Sequence, residues 1–567
     1  DWIRRHDPTR LVHNEGAVKP RWDQGGPNEY ERGGERSNDL IDPMYESVPG
    51  VIEWAEKTRE ERPFIMCEYC SSTGNSCGCL KEYWDAFYAH HGLQGGFIWQ
   101  WLDHGIRQKD RKGREYWAYG GDFGEEVHDY NFICNGLVGP DRAPHPALWE
   151  LKKLTQPIRV SAIDVEKSIF SIANLDYFCS TVWLTGSWRI EVDGRRIQSG
   201  DCSVVVAPQA SKEIRLNVKP VGLKPGQEAL LTFSFRTKEK QTWCAKGHEV
   251  AWEQFAIASA RSTVRPTRRS KKSIAIRSRK NALTAEAGHL LATFDQRKGT
   301  LRKLAIDGIE IITVGPEFNL WRTPVDNAGI RARPDYRTGQ WKPLGRWCDA
   351  GYDQLECREV EVETQEDDGL IIRSRQIYVP ASAAGHFTHE QRIQLLPEGR
   401  LICNHLFAME EGMVDPPRLG VMLTVAEGCD QLTWYGRGPH ESYPDRKAGA
   451  PLGLYRGPVA EQHHPYPVPQ ENGNKEDVRF FSLEGEKGKI AFRAIGDGQF
   501  GFSTHHYKPK ELEKALHVNE VPSRKDVVVL IDAVQRGLGS GACGPDTLPQ
   551  YLITPGSYAL SYEIAKQ

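Results

Sequence analysis

The strongest constraint on the fold is the alternation of strand-like and helix-like segments within residues 1–155. Four segments have the composition of strands, at residues 10–16, 38–45, 64–69 and 95–103. Between the last three, "VPGVIEWAEKT" and "CLKEYWDAFYAHHG" have helical spacing. This order of strand, helix and strand predicts parallel βα units, in which crossover helices cover the faces of a sheet.

Four such strands are too few to close a barrel of eight strands. Polar residues nonetheless gather at the C-terminal ends of the predicted strands, which is where such barrels keep their functional groups. We therefore expect residues 1–155 to form the second half of a TIM (β/α)8 barrel. The first half would lie upstream of residue 1 or on another chain.

The pattern changes after residue 155. Residues 156–265 contain short alternating runs broken by Gly, Pro and Asp, which predicts an immunoglobulin-like β-sandwich. The basic residues 266–273 are predicted to be a solvated linker. Residues 274–567 are again rich in strands but too long for a second module of that kind, so we expect a large two-sheet β-supersandwich.

Glu68 is the strongest candidate for a catalytic residue. The continuous apolar run over residues 64–67 predicts a buried strand, and a carboxylate at the exit of that strand is costly unless it is paired, hydrogen-bonded or used. The structural alternative is that Glu68 caps the following loop or pairs with an arginine. Tyr45 ends the preceding predicted strand, so its phenol could donate to Glu68 and favour the ionised carboxylate.

The next predicted strand ends in aromatic residues. Strand alternation predicts that Trp99, Trp101 and Asp103 share one face. A tryptophan at a barrel mouth can form the floor for the apolar face of a sugar, although packing in the barrel core is the alternative, and the favoured one for Trp101. Glu15 in "HNEG" is a second candidate carboxylate, and two carboxyl groups about 5 Å apart would make a retaining glycosidase.

Cysteine spacing around Glu68 raises the question of a metal. A zinc site would need two well-spaced pairs, but the second pair here is C-x-C and the gap is short, so buried reduced thiols are the favoured interpretation. The four cysteines concerned are Cys67, Cys70, Cys77 and Cys79.

Charge and hydropathy restrict the partners. A formal net charge of −3 gives no electrostatic case for nucleic acid or an anionic membrane. No window approaches the roughly 20 apolar residues of a membrane span. The sequence has no N-x-S/T motif, which favours an intracellular, cytoplasmic protein.

Five longer motifs point to a known family. They are "RPFIMCEYCSSTGNS", "LQGGFIWQWLDHGI", "YGGDFGEEVHDYNFICNGLVGPDRAPHPALWELKK", "WYGRGPHESYPDRKAGAPLG" and "PQENGNKEDVRFF". Together they resemble the glycoside hydrolase family 2 β-galactosidases of the bacterial lac type, in order and over essentially all 567 residues. The resemblance implies the C-terminal portion of such an enzyme, whose last domain is a supersandwich of the galactose mutarotase type.

The resemblance also implies residue roles in a retaining exo-glycosidase. Glu68 matches the nucleophile, and Tyr45 matches the tyrosine that contacts it. Trp99 matches the tryptophan of the sugar platform. Phe132 and Asn135 match residues near a sodium or potassium ion and the galactose 6-hydroxyl.

Several family features fall outside this chain. The acid/base glutamate of the family belongs to an "NE" motif upstream of residue 1, and Glu15 matches a different glutamate. The ligands of the Mg²⁺ ion also lie mostly upstream. We therefore expect the isolated chain to be incomplete, with the N-terminal half of the same enzyme, or a separate subunit, as its partner. Family members are commonly homo-oligomers.

Two departures bear on the substrate. Ser71 occupies the position of a histidine that touches the 6-hydroxyl, and Cys543 occupies the position of an aglycone-contacting tryptophan.

Three hypotheses about the function remain open. The chain belongs to a β-galactosidase; it belongs to a family 2 exo-hydrolase of another β-glycoside, such as a uronide or arabinopyranoside; or it is an inactive truncated chain that only binds carbohydrate or a partner.

Overall fold

The computed structural model describes residues 2–15, 38–57, 61–260, 273–331, 333, 341–367 and 369–566. The predicted basic linker lies outside these residues, apart from Ser273. Within the described ranges, no helix is long and apolar enough to cross a membrane.

The N-terminal part alternates helices with short strands. Its elements are α1 (Trp2–His6), α2 (Val48–Lys57), β1 (Phe64–Tyr69), α3 (Leu80–Ala89), β2 (Leu93–Ile98), β3 (Ile106–Lys109), β4 (Glu115–Ala118) and α4 (Pro146–Leu154).

An arc of parallel backbone organises this part. Met44 forms a parallel bridge with Glu68, β1 pairs in parallel with β2, and Leu102 forms a parallel bridge with Val138. Apolar side chains of α2 and α3, such as Trp54, pack on β1 in one buried cluster. The predicted βα order is therefore present over residues 38–98.

Two predicted strands differ from the structure. Residues 10–15 form no strand. In this segment the Val12 N–H donates to the Asp39 carboxylate at 2.7 Å, and the Asp39 N–H donates to the Val12 carbonyl at 3.0 Å. The strand predicted over 95–103 ends at Ile98.

A two-sheet sandwich follows. Its strands are β5 (Ile158–Asp164), β6 (Ile169–Asn174), β7 (Leu184–Val192), β8 (Arg195–Asp201), β9 (Ser211–Arg215), β10 (Glu228–Thr237) and β11 (Glu249–Ser259). The sheet β5-β6-β9 faces the sheet β11-β10-β7-β8, and Phe170 meets Phe233 in the core with ring centroids 5.0 Å apart.

The last part of the chain consists of two nine-stranded sheets, which we call the supersandwich. Its first sheet has the order β12-β13-β14-β15-β16-β21-β28-β27-β24, and its second has the order β17-β18-β19-β20-β29-β26-β25-β22-β23. The bounds are β12 Ala275–Arg279, β13 Ala282–Ala287, β14 Leu290–Asp295, β15 Thr300–Ile306, β16 Ile309–Asn319, α5 Pro343–Ala350, β17 Glu356–Glu366, β18 Leu370–Val379, β19 Phe387–Leu396, β20 Arg400–Met409, β21 Arg418–Val425, β22 Gln431–Arg437, β23 Leu452–Pro458, β24 Lys475–Val478, β25 Phe480–Gly485, β26 Gly488–Ala494, β27 Phe500–His505, α6 Pro509–Leu512, β28 Val527–Gln535 and β29 Gly556–Lys566.

Stacked aromatic rings join these two sheets. Phe481 stacks on Phe502 of the opposite sheet at 4.3 Å between centroids and on Phe492 at 4.6 Å. All three side chains are fully buried. The two-sheet architecture agrees with the prediction for this region.

A buried histidine lies in the same core. His389 on β19 is 1% exposed, bonds through Nε2 to Nδ1 of His405 at 3.0 Å, and stacks on Phe407. Burial lowers the pKa of His389 to about 3. At pH values between about 3 and the ordinary pKa of histidine, the imidazole is protonated in the unfolded chain but neutral in the folded chain. The free energy of unfolding therefore falls as pH falls.

We expect His389→Phe to reduce the loss of stability between pH 7 and pH 5 by about 2 kcal/mol, since phenylalanine keeps the ring packing and binds no proton. Urea unfolding at the two pH values measures this, with the exposed His91→Phe as the matched control. An unchanged pH dependence in His389→Phe would contradict the assignment.

Candidate active site

Glu68 and Tyr45 form the centre of the candidate site. Glu68 is the penultimate residue of β1, and the bridge from Met44 places Tyr45 beside it. The Tyr45 N–H donates to the Glu68 carbonyl at 2.8 Å, and the Tyr45 hydroxyl acts to lower the pKa of the Glu68 carboxyl. Backbone pairing thus places these two residues side by side.

The pKa shifts of the two side chains keep the Tyr45 hydroxyl protonated. Burial raises the pKa of Tyr45 well above its ordinary value, and Cys543 and Glu68 raise it further. Burial also raises the pKa of Glu68, whereas the Tyr45 hydrogen bond opposes that rise and Glu15 adds to it through charge repulsion. The Tyr45 phenol therefore stays protonated beside a Glu68 carboxyl group that can ionise.

Cys543 reaches this pair from the far end of the chain. Burial raises the pKa of its thiol, and the neighbouring Tyr45 hydroxyl opposes that rise. The neighbouring Gly544 has a φ of +158°, and a Cβ there would lie 3.1 Å from Cδ1 of Tyr45. The supersandwich therefore contacts the Glu68 site directly.

The tryptophans lie at the end of β2. Trp99 is 38% exposed and Trp101 is 63% exposed, whereas Asp103 is buried. The strand alternation used to predict a shared face does not extend to these residues, because β2 ends at Ile98. Trp99 stays next to the end of β1, since its N–H donates to the Tyr69 carbonyl at 3.3 Å.

Asn135 is fixed at the same edge. The Gln100 side-chain amide donates to Oδ1 of Asn135 at 2.9 Å, and the Gln100 N–H donates to the Asn135 carbonyl at 2.6 Å. Phe132 lies three residues earlier, in a 3-10 helix over Tyr130–Ile133, and is half-buried. The structure thus places Asn135 close to Trp99.

A chain of buried polar groups supports this segment. Asp103 accepts from the Gly136 N–H at 2.6 Å and from Nε2 of His145 at 2.8 Å. Nδ1 of His145 lies 2.7 Å from Nε2 of His464. Gly136 has no room for a side chain, because a Cβ would lie 2.2 Å from the Asp103 nitrogen. Sequence reasoning missed both histidines, since 319 residues separate them.

Ser71 does not project into open space. Its side chain is fully buried, and its hydroxyl lies 3.0 Å from the Thr73 hydroxyl. The cysteines around it have free thiols, and Cys70, Cys77 and Cys79 are buried. Cys79 faces Asp445 and Thr547.

The loop of residues 70–79, which we call the nucleophile loop, is clamped by the supersandwich. The Asn75 N–H donates to Oε1 of Gln470 at 3.0 Å, and its amide donates to the Glu471 carbonyl at 2.7 Å. The Gly78 N–H donates to the Gly539 carbonyl at 3.0 Å. The loop thus gains most of its hydrogen bonds from a distant part of the chain.

Arg446 completes the clamp. Its guanidinium donates to the Ser76 carbonyl and to the Glu441 carboxylate, the latter at 2.6 Å. Arg446 and Glu441 are both buried. Tyr466 also donates to Glu441, at 2.7 Å.

The donor atoms of the described residues indicate whether a metal ion could bind here. Within the described ranges, no group of three or more His, Cys, Asp or Glu side chains is placed to hold a metal ion. These residues therefore do not fit a magnesium site of their own. Oxygen donors at Phe132 and Asn135 suit a hard monovalent cation, but they fill only part of a coordination shell.

Three family models match the chain. Residues 1–160 match "Glycosyl hydrolases family 2, TIM barrel domain", residues 170–258 match "Beta-galactosidase, domain 4" and residues 286–564 match "Beta galactosidase small chain". The three matches follow one another in the order predicted for the barrel, the small sandwich and the supersandwich.

Curated relatives give the same result. A β-galactosidase of Priestia megaterium is 32% identical over 540 residues, covering 95% of this chain and 49% of that protein. One from Vibrio cholerae is 31% identical over 577 residues, covering 98% and 53%. A "Beta-galactosidase 2" of Enterobacter cloacae is 29% identical over 567 residues, covering 97% and 52%.

Similarity to a solved structure is remote. A galactose 1-epimerase from Lactobacillus acidophilus NCFM aligns with 52% of this chain and 98% of that chain, at a TM-score of 0.27 and 11% identity.

The three matches together assign the barrel segment, the small sandwich and the supersandwich to one family. The chain belongs to the family 2 glycosyl hydrolases and corresponds to the C-terminal portion of their β-galactosidases. The resemblance seen in the sequence is thereby confirmed. The chain spans about half the length of the curated relatives it matches.

We expect Arg446→Met to lower the free energy of unfolding by about 3–5 kcal/mol, because it leaves a buried carboxylate without its charge partner. The loss should be accompanied by faster amide hydrogen exchange within residues 70–79. Lys57→Met, which breaks an exposed pair with Glu53, is the control and should cost about 1 kcal/mol or less. Unchanged exchange in the nucleophile loop would contradict its clamping by Arg446.

Proposed function

We propose that this chain supplies the nucleophile of a retaining β-galactosidase, which releases terminal β-D-galactosyl residues by double displacement. The observation that carries the proposal is the place of Glu68 at the C-terminal end of a parallel strand, with Tyr45 paired to it through its N–H at 2.8 Å. Barrels of this type keep their catalytic groups at such strand ends. The curated relatives named β-galactosidase support the choice of sugar.

Glu68 attacks the anomeric carbon in its ionised form and forms a covalent glycosyl-enzyme. Tyr45 orients the carboxylate and limits the rise of its pKa. A glutamate from the upstream segment protonates the leaving oxygen and then activates water, which releases the sugar with its configuration retained.

Other side chains bind the sugar. Trp99, which is partly exposed beside β1, offers a ring for the apolar face of galactose. Phe132 and Asn135 would hold a sodium or potassium ion near the 6-hydroxyl, where the cation would fix the position of that group. A Mg²⁺ site would use ligands from the upstream segment.

A second substrate is favoured by one observation. Ser71 is fully buried and bonded to Thr73, so it does not replace the histidine that contacts the 6-hydroxyl in the family. The site could therefore accept a different group at C5, as in a uronide or an arabinopyranoside.

The role of Glu68 can be tested by covalent capture. We expect 2,4-dinitrophenyl 2-deoxy-2-fluoro-β-galactoside to label Glu68, because dinitrophenolate leaves without a proton and the fluorine slows release. Peptide mass spectrometry locates the label. Glu68→Gln should remain unlabelled and Glu82→Gln should be labelled like the wild type, whereas a label on another carboxylate would refute the role of Glu68.

Hydrolysis should require the upstream half. The chain should cleave nitrophenyl galactoside when it is co-expressed with the upstream half of the Priestia megaterium relative. The same preparation with Glu68→Gln should lose activity by about 10⁴-fold or more, as expected for loss of a nucleophile. No hydrolysis in any combination would favour the hypothesis of a chain that only binds carbohydrate.

The site should tolerate different substituents at C5 of the sugar. In that preparation we expect kcat/KM for the arabinopyranoside to lie within about tenfold of that for the galactoside, since one hydrogen bond is worth about 0.5–1.5 kcal/mol. A panel of nitrophenyl glycosides, including the uronide, measures the ratios. A galactoside preference above about a thousandfold would exclude this second candidate.

A further inference from the structure

Ser72 joins the nucleophile loop to two neighbouring parts of the site. Its N–H donates to the Trp99 carbonyl at 2.8 Å, and its hydroxyl donates to the Gly136 carbonyl at 3.0 Å. Gly136 follows directly on Asn135. The position of the loop therefore affects the backbone at two residues that the proposed function assigns to sugar binding.

Gln470 fixes the same loop three residues further on. Its Oε1 accepts from the Asn75 N–H at 3.0 Å and from the Asp326 N–H at 3.1 Å. Its Nε2 donates to Oδ2 of Asp326 at 2.8 Å and to the Val468 carbonyl at 3.0 Å. All four hydrogen-bonding positions of this buried carboxamide are therefore used.

The surroundings of Gln470 are themselves held in place. Asp326 is buried, and the side chain of the next residue, Asn327, accepts from the Ala542 N–H at 3.1 Å. On the other side of the carboxamide, a Cβ at Gly74 would lie 2.3 Å from Nε2 of Gln470, so the loop backbone packs directly on it. An anchored part of the supersandwich thus sets the position of the nucleophile loop.

We propose that Gln470 is a positioning residue for the sugar site. It acts through Asn75, by holding the nucleophile loop against Trp99 and the Asn135 segment. That Trp99 and Asn135 bind a sugar rests on the proposed function, whereas the contacts of Gln470 do not. Because the strand that carries Glu68 is paired on both sides, the effect should fall on sugar binding more than on the covalent step.

Gln470→Glu tests this role with a nearly isosteric change. The carboxyl group keeps one oxygen for the Asn75 N–H, but its second oxygen replaces the donor that faces Asp326. Two carboxyl oxygens stay at hydrogen-bond distance only when they share a proton. The nucleophile loop should therefore be loosened at about pH 8 and held again at about pH 5, where the shared proton restores the donor.

The other charged neighbours of Asp326 do not change with this substitution. Burial raises the pKa of Asp326, and the Gln470 hydrogen bond opposes that rise. Arg331 also lowers the pKa of Asp326, whereas Asp103 raises it. Since both stay in place, a pH effect that is confined to the variant reports the new pair of carboxyl groups.

The first experiment measures amide hydrogen exchange in the full chain by mass spectrometry, relative to the wild type at each pH. We expect protection over residues 70–79, 99–103 and 133–138 to fall about tenfold in Gln470→Glu at about pH 8 and to recover at about pH 5, because a buried hydrogen bond is lost and then restored. Gln365→Glu, an exposed change of the same kind, is the matched control and should behave like the wild type. Unchanged protection of residues 70–79 in Gln470→Glu at the higher pH would overturn the proposal.

The second experiment follows the labelling of Glu68 by the fluorinated galactoside and separates the apparent dissociation constant from the maximal rate. At about pH 8 we expect Gln470→Glu to raise the dissociation constant about tenfold and to change the maximal rate by less than about threefold. At about pH 5 the dissociation constant should return to that of the wild type. A loss confined to the maximal rate would overturn the role at the sugar site.

Ser72→Ala tests the same path without a new charge, and it decides the question if Gln470→Glu does not fold. It removes the hydroxyl that donates to Gly136, so the dissociation constant should rise about threefold at both pH values. An unchanged constant would contradict the path from the loop to the sugar site.

Hydrogen exchange requires no sugar. An absence of labelling in the wild-type chain would count against Glu68 as the nucleophile, while the exchange result would still decide whether Gln470 holds the loop. The two failures are therefore distinguishable.

Discussion

The clamping of the nucleophile loop by the supersandwich is the interaction on which the site depends. Residues 70–79 follow directly on the strand that carries Glu68, and they are buried although they form no helix or strand before Leu80. Buried backbone without regular structure must find its hydrogen bonds elsewhere. These hydrogen bonds come from a part of the chain at least 370 residues away, namely from Gln470, Glu471, Gly539 and Arg446.

Other contacts also make the barrel segment depend on the supersandwich. Gly544 lies against the Tyr45 ring, and His464 supports the Asp103 carboxylate through His145. Each contact joins the supersandwich to the barrel segment. Loss of packing between the two regions would therefore loosen the carboxylate and the Asn135 segment together, even with every barrel residue unchanged.

Sequence patterns predicted the parallel βα order, both sandwich regions and the pairing of Tyr45 with Glu68, because each depends on local periodicity or on strand ends that meet at one edge. They failed at residues 10–15 and beyond Ile98, where Asp39 and the end of β2 decide the backbone. They could not find His464, since it carries no local signal. The family comparisons confirm the resemblance but do not test the residue roles.

By itself, the amino-acid sequence determined the family, the order of the three regions and the identity of the candidate nucleophile, since long motifs and strand patterns are local properties. Only the tertiary structure decided that Ser71 is buried against Thr73, that Asp103 is buried whereas Trp101 is exposed, and that Gly544 lies against the Tyr45 ring. These outcomes depend on burial and on contacts between distant segments. Such contacts arise only when the supersandwich packs against the open edge of the barrel segment.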